Sequence, residues 1–168
     1  DKERIEVIPS GVRDDLFMFN EECEYPDRSI YLAKVDYRKR QHLFHNIPNL
    51  YFAGNIADDR YNMNNYLGEW SKDHLYDNLT KYANLVLLSD GEAHPLVCME
   101  AMTAGLGLVI SEFASANLDL DLPFIDVIPE SRIKDTDYIS SVIKENRERS
   151  IKMRKEIRDY VVSNFSWE

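Results

Sequence analysis

Short runs of β-branched and other apolar residues alternate along the chain with stretches whose apolar positions recur every three or four residues. The runs predict strands at Ile5–Ile8, Ile30–Val35, Leu50–Gly54, Asn65–Leu67, Leu85–Ser89, Leu108–Ser111 and Ile125–Ile128. Several read as near-continuous apolar runs, Leu85-Val86-Leu87-Leu88 for instance, as expected of parallel strands buried on both faces. The helical spacing predicts helices at Arg38–Ile47, Lys72–Tyr82, Leu96–Ala104, Asp137–Glu145 and Ile151–Asn164. Ser71 suits an N-cap for the second, Pro95 the first turn of the third, and Gly105 its C-terminal stop.

Strand, helix and strand in repetition imply right-handed crossovers. The expected fold is α/β: one Rossmann-like, doubly wound parallel sheet of about six strands with helices on both faces. In such sheets a ligand sits beyond the carboxyl ends of the strands.

Composition narrows the function classes. The chain has 168 residues, 44% hydrophobic and 30% charged, within the range of ordinary globular domains. Its formal net charge of −10 disfavours a nucleic-acid partner, which needs a basic surface to displace counterions. No apolar run reaches the length of about 20 residues that spans a bilayer. Cys23 and Cys98 form no CxxC pattern, which points away from a disulfide framework or zinc site and towards a reducing cytoplasm.

Ser89 to Gly107 carries the most chemistry. A predicted strand ends at Ser89, a loop holds Glu92, and a helix opens at Pro95, where its first N–H groups and dipole favour an anion. Glu100 lies in a helix apolar nearly all round. An ionised carboxylate there costs several kcal/mol unless donors meet it. A ribose diol would supply two hydroxyl donors; an outlet to solvent or a structural Arg or Lys partner would also account for Glu100. Earlier in the chain, Lys34, Arg38, Lys39 and Arg40 fall within one predicted strand-to-helix turn. They read either as a solvated basic turn or as cations at the ligand edge of the sheet.

Glu92 and Glu100 stand in an E-x7-E arrangement followed by Ala-Met-x-Ala-Gly. Together with Ser89 and Pro95 this resembles the signature of retaining GT-B glycosyltransferases, notably glycosyltransferase family four. The resemblance implies that Glu92 meets the donor sugar's hydroxyls and Glu100 the ribose hydroxyls. It places the distal phosphate on the N–H groups around Leu96 and Val97, beside His94 and Pro95. Lys34 and Lys39 resemble the two cations of the family's Gly-Arg-x5-Lys-Gly turn, which neutralise the donor diphosphate; Ala33 and Arg40 stand where that turn has glycines. Ala93-His94 replaces the usual Gly-Phe, and Gly107 a common Pro. Ile8-Pro9-Ser10-Gly11-Val12 resembles the segment entering the donor domain, with Gly11 at its tight turn. Tyr66-Leu67-Gly68 resembles the strand end bordering the nucleobase. The family's glycine pair after the strand ending at Ser111 is replaced by Ala114-Ser115-Ala116.

The resemblance therefore implies a hexosyltransferase-type enzyme of glycan biosynthesis with catalytic Glu92, Lys34 and Lys39, cytoplasmic or peripheral at the membrane. Its donor would be a nucleoside-diphosphate sugar, UDP- or GDP-linked, with no further cofactor and no metal. Residues 1–168 would be the donor-binding domain. A glycan or lipid-linked acceptor would bind an N-terminal domain outside this chain, as would the final crossover helix after Phe165-Ser166-Trp167, leaving the isolated segment inactive in transfer. The alternative is a non-catalytic nucleotide-sugar-binding or interaction module of the same fold. Asp119-Leu120-Asp121 matches the metal-binding DxD of the unrelated GT-A fold but reads as a turn, and His42 with His45 lacks a third ligand.

Overall fold

The computed structural model describes residues 15–56, 65–90, 96–114 and 118–165. Five strands form one sheet: β1 (Tyr25–Leu32), β2 (Leu50–Ala53), β3 (Tyr82–Leu87), β4 (Gly107–Ser111) and β5 (Ile125–Ile128). Their order is β2-β1-β3-β4-β5, and every pairing is parallel. All six residues of β3 are buried, which explains its unbroken apolar run. The expected strand at Asn65–Leu67 is reduced to one parallel bridge between Tyr66 and Phe52, at the β2 edge. The expected strand at Ile5–Ile8 lies outside the described residues. β1 and β3 begin earlier than their apolar runs, because Tyr25 and Tyr82 pair in register and stack edge to face.

The helices are α1 (Gln41–Phe44), α2 (Lys72–Asn78), α3 (Leu96–Thr103), α4 (Thr136–Ile151) and α5 (Arg154–Phe165). The single helix expected over Arg38–Ile47 is divided into a 3₁₀ turn (Tyr37–Lys39) and the short α1. Arg40 separates them with φ 64°, a left-handed conformation that no helix propagates through. Ser71 caps α2 as expected, accepting the His74 N–H at 3.1 Å. Gly105, at φ +93°, ends the turn after α3. α4 is nearly twice its expected length, since Asp135 caps it and its polar positions bury Asn146, Arg147 and Ser150.

α1 and α4 lie on one face of the sheet; α2, α3 and α5 cover the other. α3 packs on β3, β4 and α5, so Cys98, Met99, Ala101 and Met102 are all buried. That contact on several sides is why α3 carries no polar stripe. Burial pushes the Cys98 thiol up to about 12 and leaves it inert. No described helix is long and apolar enough to cross a membrane.

A buried polar network lies under α4 at the amino ends of the strands. The Asn146 amide donates to Leu108 O (3.0 Å), Phe124 O (3.2 Å) and Asp126 Oδ2 (2.9 Å), while its oxygen accepts from Asn84 Nδ2 (2.9 Å). Gly107 begins β4 beneath this network. A Cβ at that position would collide with Ser150 Oγ, so glycine makes room for the α4 side chains. Arg154, 1% exposed, donates to Asn20 O (2.9 Å), Tyr82 O (3.0 Å), Thr80 Oγ1 (2.9 Å) and Thr80 O. Asp119-Leu120-Asp121 forms the expected turn, with the Asp121 N–H donating to Asp119 Oδ1 at 3.1 Å.

Candidate functional site

The strand order reverses between β1 and β3, because β1 is followed by β2 on one side and β3 by β4 on the other. This is the switch point of a doubly wound sheet, where the connections leave in opposite directions and open a crevice beyond the carboxyl ends. Lys34 follows the end of β1 here. The chain then bends: the Lys39 N–H donates to Asp36 Oδ1 (3.0 Å), closing the 3₁₀ turn before Arg40.

The four cations of this turn divide into two pairs. Arg40 donates two bonds to Glu130, Nη1 to Oε2 at 2.9 Å and Nη2 to Oε1 at 2.8 Å. It also donates to Leu88 O (3.3 Å) and lies 3.7 Å from Asp90. The Arg38 guanidinium donates to Asp90 O (3.2 Å), and the Asp90 N–H to Arg38 O (2.7 Å). These two arginines tie the turn to the ends of β3 and β5. Lys34 and Lys39 instead line an open cavity of about 320 Å³ with Leu87, Leu96, Val97 and Glu100.

Leu96, Val97 and Glu100 reach this cavity together because positions i, i+1 and i+4 share one side of α3, and the remaining sides are packed. Burial raises the Glu100 carboxyl above its ordinary value of 4.5, and the positive charge of Lys72 pulls it partly back. Neither a hydrogen bond nor an ion pair to a described residue contributes to that shift. Among the described residues Lys72 is the charge that acts on the carboxylate, which faces the cavity half-buried.

A second cavity of about 220 Å³ adjoins the first through Leu32, Ala33 and Val97, and is walled by Gly54, Trp70, Lys72 and Leu75. Gly54 makes this wall. Its φ is +148°, and a Cβ would collide with the Ala33 carbonyl oxygen, so only glycine lets the chain leave β2 this close to β1. Tyr66 Oη donates to Gly54 O (2.5 Å), and the Gly54 N–H to Gly68 O (3.0 Å). Gly68 thus stands one layer back, bracing Gly54. Glu92, His94, Pro95 and Gly11 lie outside the described residues.

Sequence reasoning did not anticipate Gly54, Lys72 or the Glu130 partner of Arg40. A glycine directly after an apolar strand was a usable signal for the first. Nothing near residue 130 announced the last.

Neither a family model nor a curated protein matches the chain. Solved structures do match, 148 chains of them. The C-terminal domain of a glycosyl transferase group 1 family protein (LpcC) from Francisella tularensis is 13% identical, with TM-score 0.70, over 94% of this chain and 100% of that one. The chain has the fold of a glycosyltransferase C-terminal domain. Anabaena Alr3699/HepE, solved in complex with UDP-glucose, is 12% identical with TM-score 0.70 over 93% of this chain and 52% of that one. AviGT4, a glycosyltransferase involved in avilamycin A biosynthesis, is 19% identical with TM-score 0.64, over 95% and 53%. At these identities the likeness is one of fold, and the chain spans about half the length of HepE and AviGT4.

Proposed function

We propose that this chain is the donor-binding half of a retaining GT-B glycosyltransferase, holding a nucleoside-diphosphate hexose for transfer to a glycan or lipid-linked acceptor. One observation carries the reading: two lysines distant from Glu100 in sequence line a single cavity with it at the switch point of the sheet. The solved complex of HepE with UDP-glucose supports a sugar nucleotide as the ligand type, with UDP the first candidate.

In this reading Lys34 and Lys39 neutralise the diphosphate, and the first turn of α3 at Leu96 and Val97 meets the distal phosphate. Glu100 accepts both ribose hydroxyls. Its raised pKa follows from burial, opposed by the charge of Lys72, and a diol would supply donors to the carboxylate. The adjoining cavity beside Trp70 and Leu75 takes the base. Glu92 would orient the sugar. Transfer places negative charge on the departing diphosphate, and cations already fixed at that point stabilise it without reorganising. The acceptor and the opposite wall of the cleft belong to an N-terminal domain. Without them this chain binds donor and transfers nothing, since attack needs both reactants aligned and water excluded. The longer enzyme would work in the cytoplasm or at the membrane surface, with no further cofactor.

The test is transfer from UDP-glucose and GDP-mannose by the protein carrying both halves, with the anomeric configuration of the product read by NMR. The expected result is transfer with retention by the two-domain protein and binding alone by this chain. Binding without transfer in the two-domain protein would favour the non-catalytic module instead.

A further inference from the structure

We infer that Arg40, Glu130 and Tyr31 form a positioning device that fixes Lys39 at the diphosphate end of the cavity, and this inference rests on the donor-site reading above. Lys39 ends a three-residue 3₁₀ turn, and the left-handed Arg40 separates that turn from the short α1. A flexible lysine on a loose turn would lose much of its phosphate contact to side-chain and backbone freedom. The structure removes that freedom at three points.

Tyr31 lies fully buried in β1, and its hydroxyl donates to the Lys39 carbonyl while accepting the Leu88 N–H at 3.0 Å. One hydroxyl thus joins the lysine's own backbone to the end of β3. The next residue, Arg40, donates to the Leu88 carbonyl and forms the paired bonds to Glu130, which follows β5. The Lys39 carbonyl and the Arg40 side chain are therefore both tied to the carboxyl ends of the sheet's strands. Finally, the Lys39 N–H is held by Asp36.

The left-handed backbone of Arg40 gives the device its logic. At φ 64° a glycine would sit without strain, whereas an arginine does so against its own preference. A planar guanidinium forked onto a carboxylate is the strongest side-chain anchor available to hold it there. Position 40 thus trades backbone ease for a tether between the phosphate-binding turn and β5, and Glu130 becomes a residue of the donor site without touching the donor.

The experiment compares affinity for UDP and for uridine by calorimetry in wild-type protein, Glu130→Ala, Glu130→Asp and Arg40→Gly, with thermal melting of each. The expected result is that Glu130→Ala loses about fivefold in UDP affinity while uridine affinity stays unchanged. Glu130→Asp recovers part of the loss, and Arg40→Gly, which keeps the turn's backbone but not the tether, behaves like Glu130→Ala. Equal losses for UDP and uridine would overturn the inference, because they mark general destabilisation. Unchanged UDP affinity in Glu130→Ala would overturn it while leaving the donor site standing. A wild-type protein that binds neither UDP, GDP nor ADP would instead remove the donor reading on which it rests.

Discussion

The two edges of the sheet treat buried charge in opposite ways. At the amino edge Arg154 is sealed from water, and its guanidinium donates to three backbone carbonyls and the Thr80 hydroxyl. Asn146 and Asn84 are likewise saturated by backbone and side-chain partners. At the carboxyl edge Glu100 is half-buried with its pKa raised by desolvation, and Lys34 and Lys39 border the same open space. Polar groups satisfied by their own fold serve stability. Charged groups left to face a cavity cost stability, and the natural recipient of that cost is a ligand. A similar contrast runs through the cationic turn itself, where the Arg38 and Arg40 guanidiniums tie the turn to the ends of β3 and β5 while Lys34 and Lys39 line the cavity.

Breaking the amino edge should therefore damage folding and spare ligand recognition. The largest effect is expected from Arg154→Ala, which strips donors from Thr80, Tyr82 and Asn20 and should cost about 3–5 kcal/mol in denaturant unfolding. Asn146→Ala should cost about 2–3 kcal/mol by orphaning the carbonyls of Leu108 and Phe124. In both variants the fraction that remains folded should bind UDP with wild-type affinity.

Breaking the carboxyl edge should do the reverse. Glu100→Ala is expected to weaken UDP and uridine alike by about 1.5–3 kcal/mol, because both carry the ribose diol, while the fold stays intact. A carboxyl whose folded pKa lies above its unfolded value binds more protons in the folded state, so stability falls as pH rises from the unfolded towards the folded pKa. Glu100→Gln removes that penalty. Its melting temperature should exceed that of wild type at pH 7, with the gap closing as pH falls towards the ordinary carboxylate range. Equal melting curves at both pH values would show that Glu100 is not strained.

Lys34→Ala and Lys39→Ala should each weaken UDP by about 1.5 kcal/mol more than uridine, with added salt narrowing the difference. Lys72→Met carries the smallest effect. It should raise the Glu100 pKa further, seen by NMR titration of the Glu100 side chain, because Lys72 supplies the charge that opposes burial there.

Much of this contrast was legible in the sequence, though unevenly. Short β-branched and apolar runs marked β2, β4 and β5 almost to the residue, although Asp126 interrupts the run of β5, an edge strand that is only partly buried. The E-x7-E spacing pointed to Glu100, and the cation run to Lys34 and Lys39. The break at Arg40 was hidden, because a left-handed arginine has no local signature and its partner Glu130 lies ninety residues away. The shrunken edge strand at Tyr66 was hidden too, since the segment Asn65-Tyr66-Leu67 is compatible with a full strand. The amino-edge network escaped notice for a related reason. Asparagines and arginines in a polar helix such as α4 look solvent-facing until tertiary packing gives them partners.

The central claim is that the crevice between β1 and β3 is a sugar-nucleotide site, and the crystal structure of this chain soaked with UDP and UDP-glucose tests it most directly. The account predicts the diphosphate against Lys34, Lys39 and the first turn of α3, the ribose hydroxyls on Glu100, and the base beside Trp70 and Leu75. Nucleotide bound on another surface, or a crevice that stays empty at saturating concentration, would contradict it.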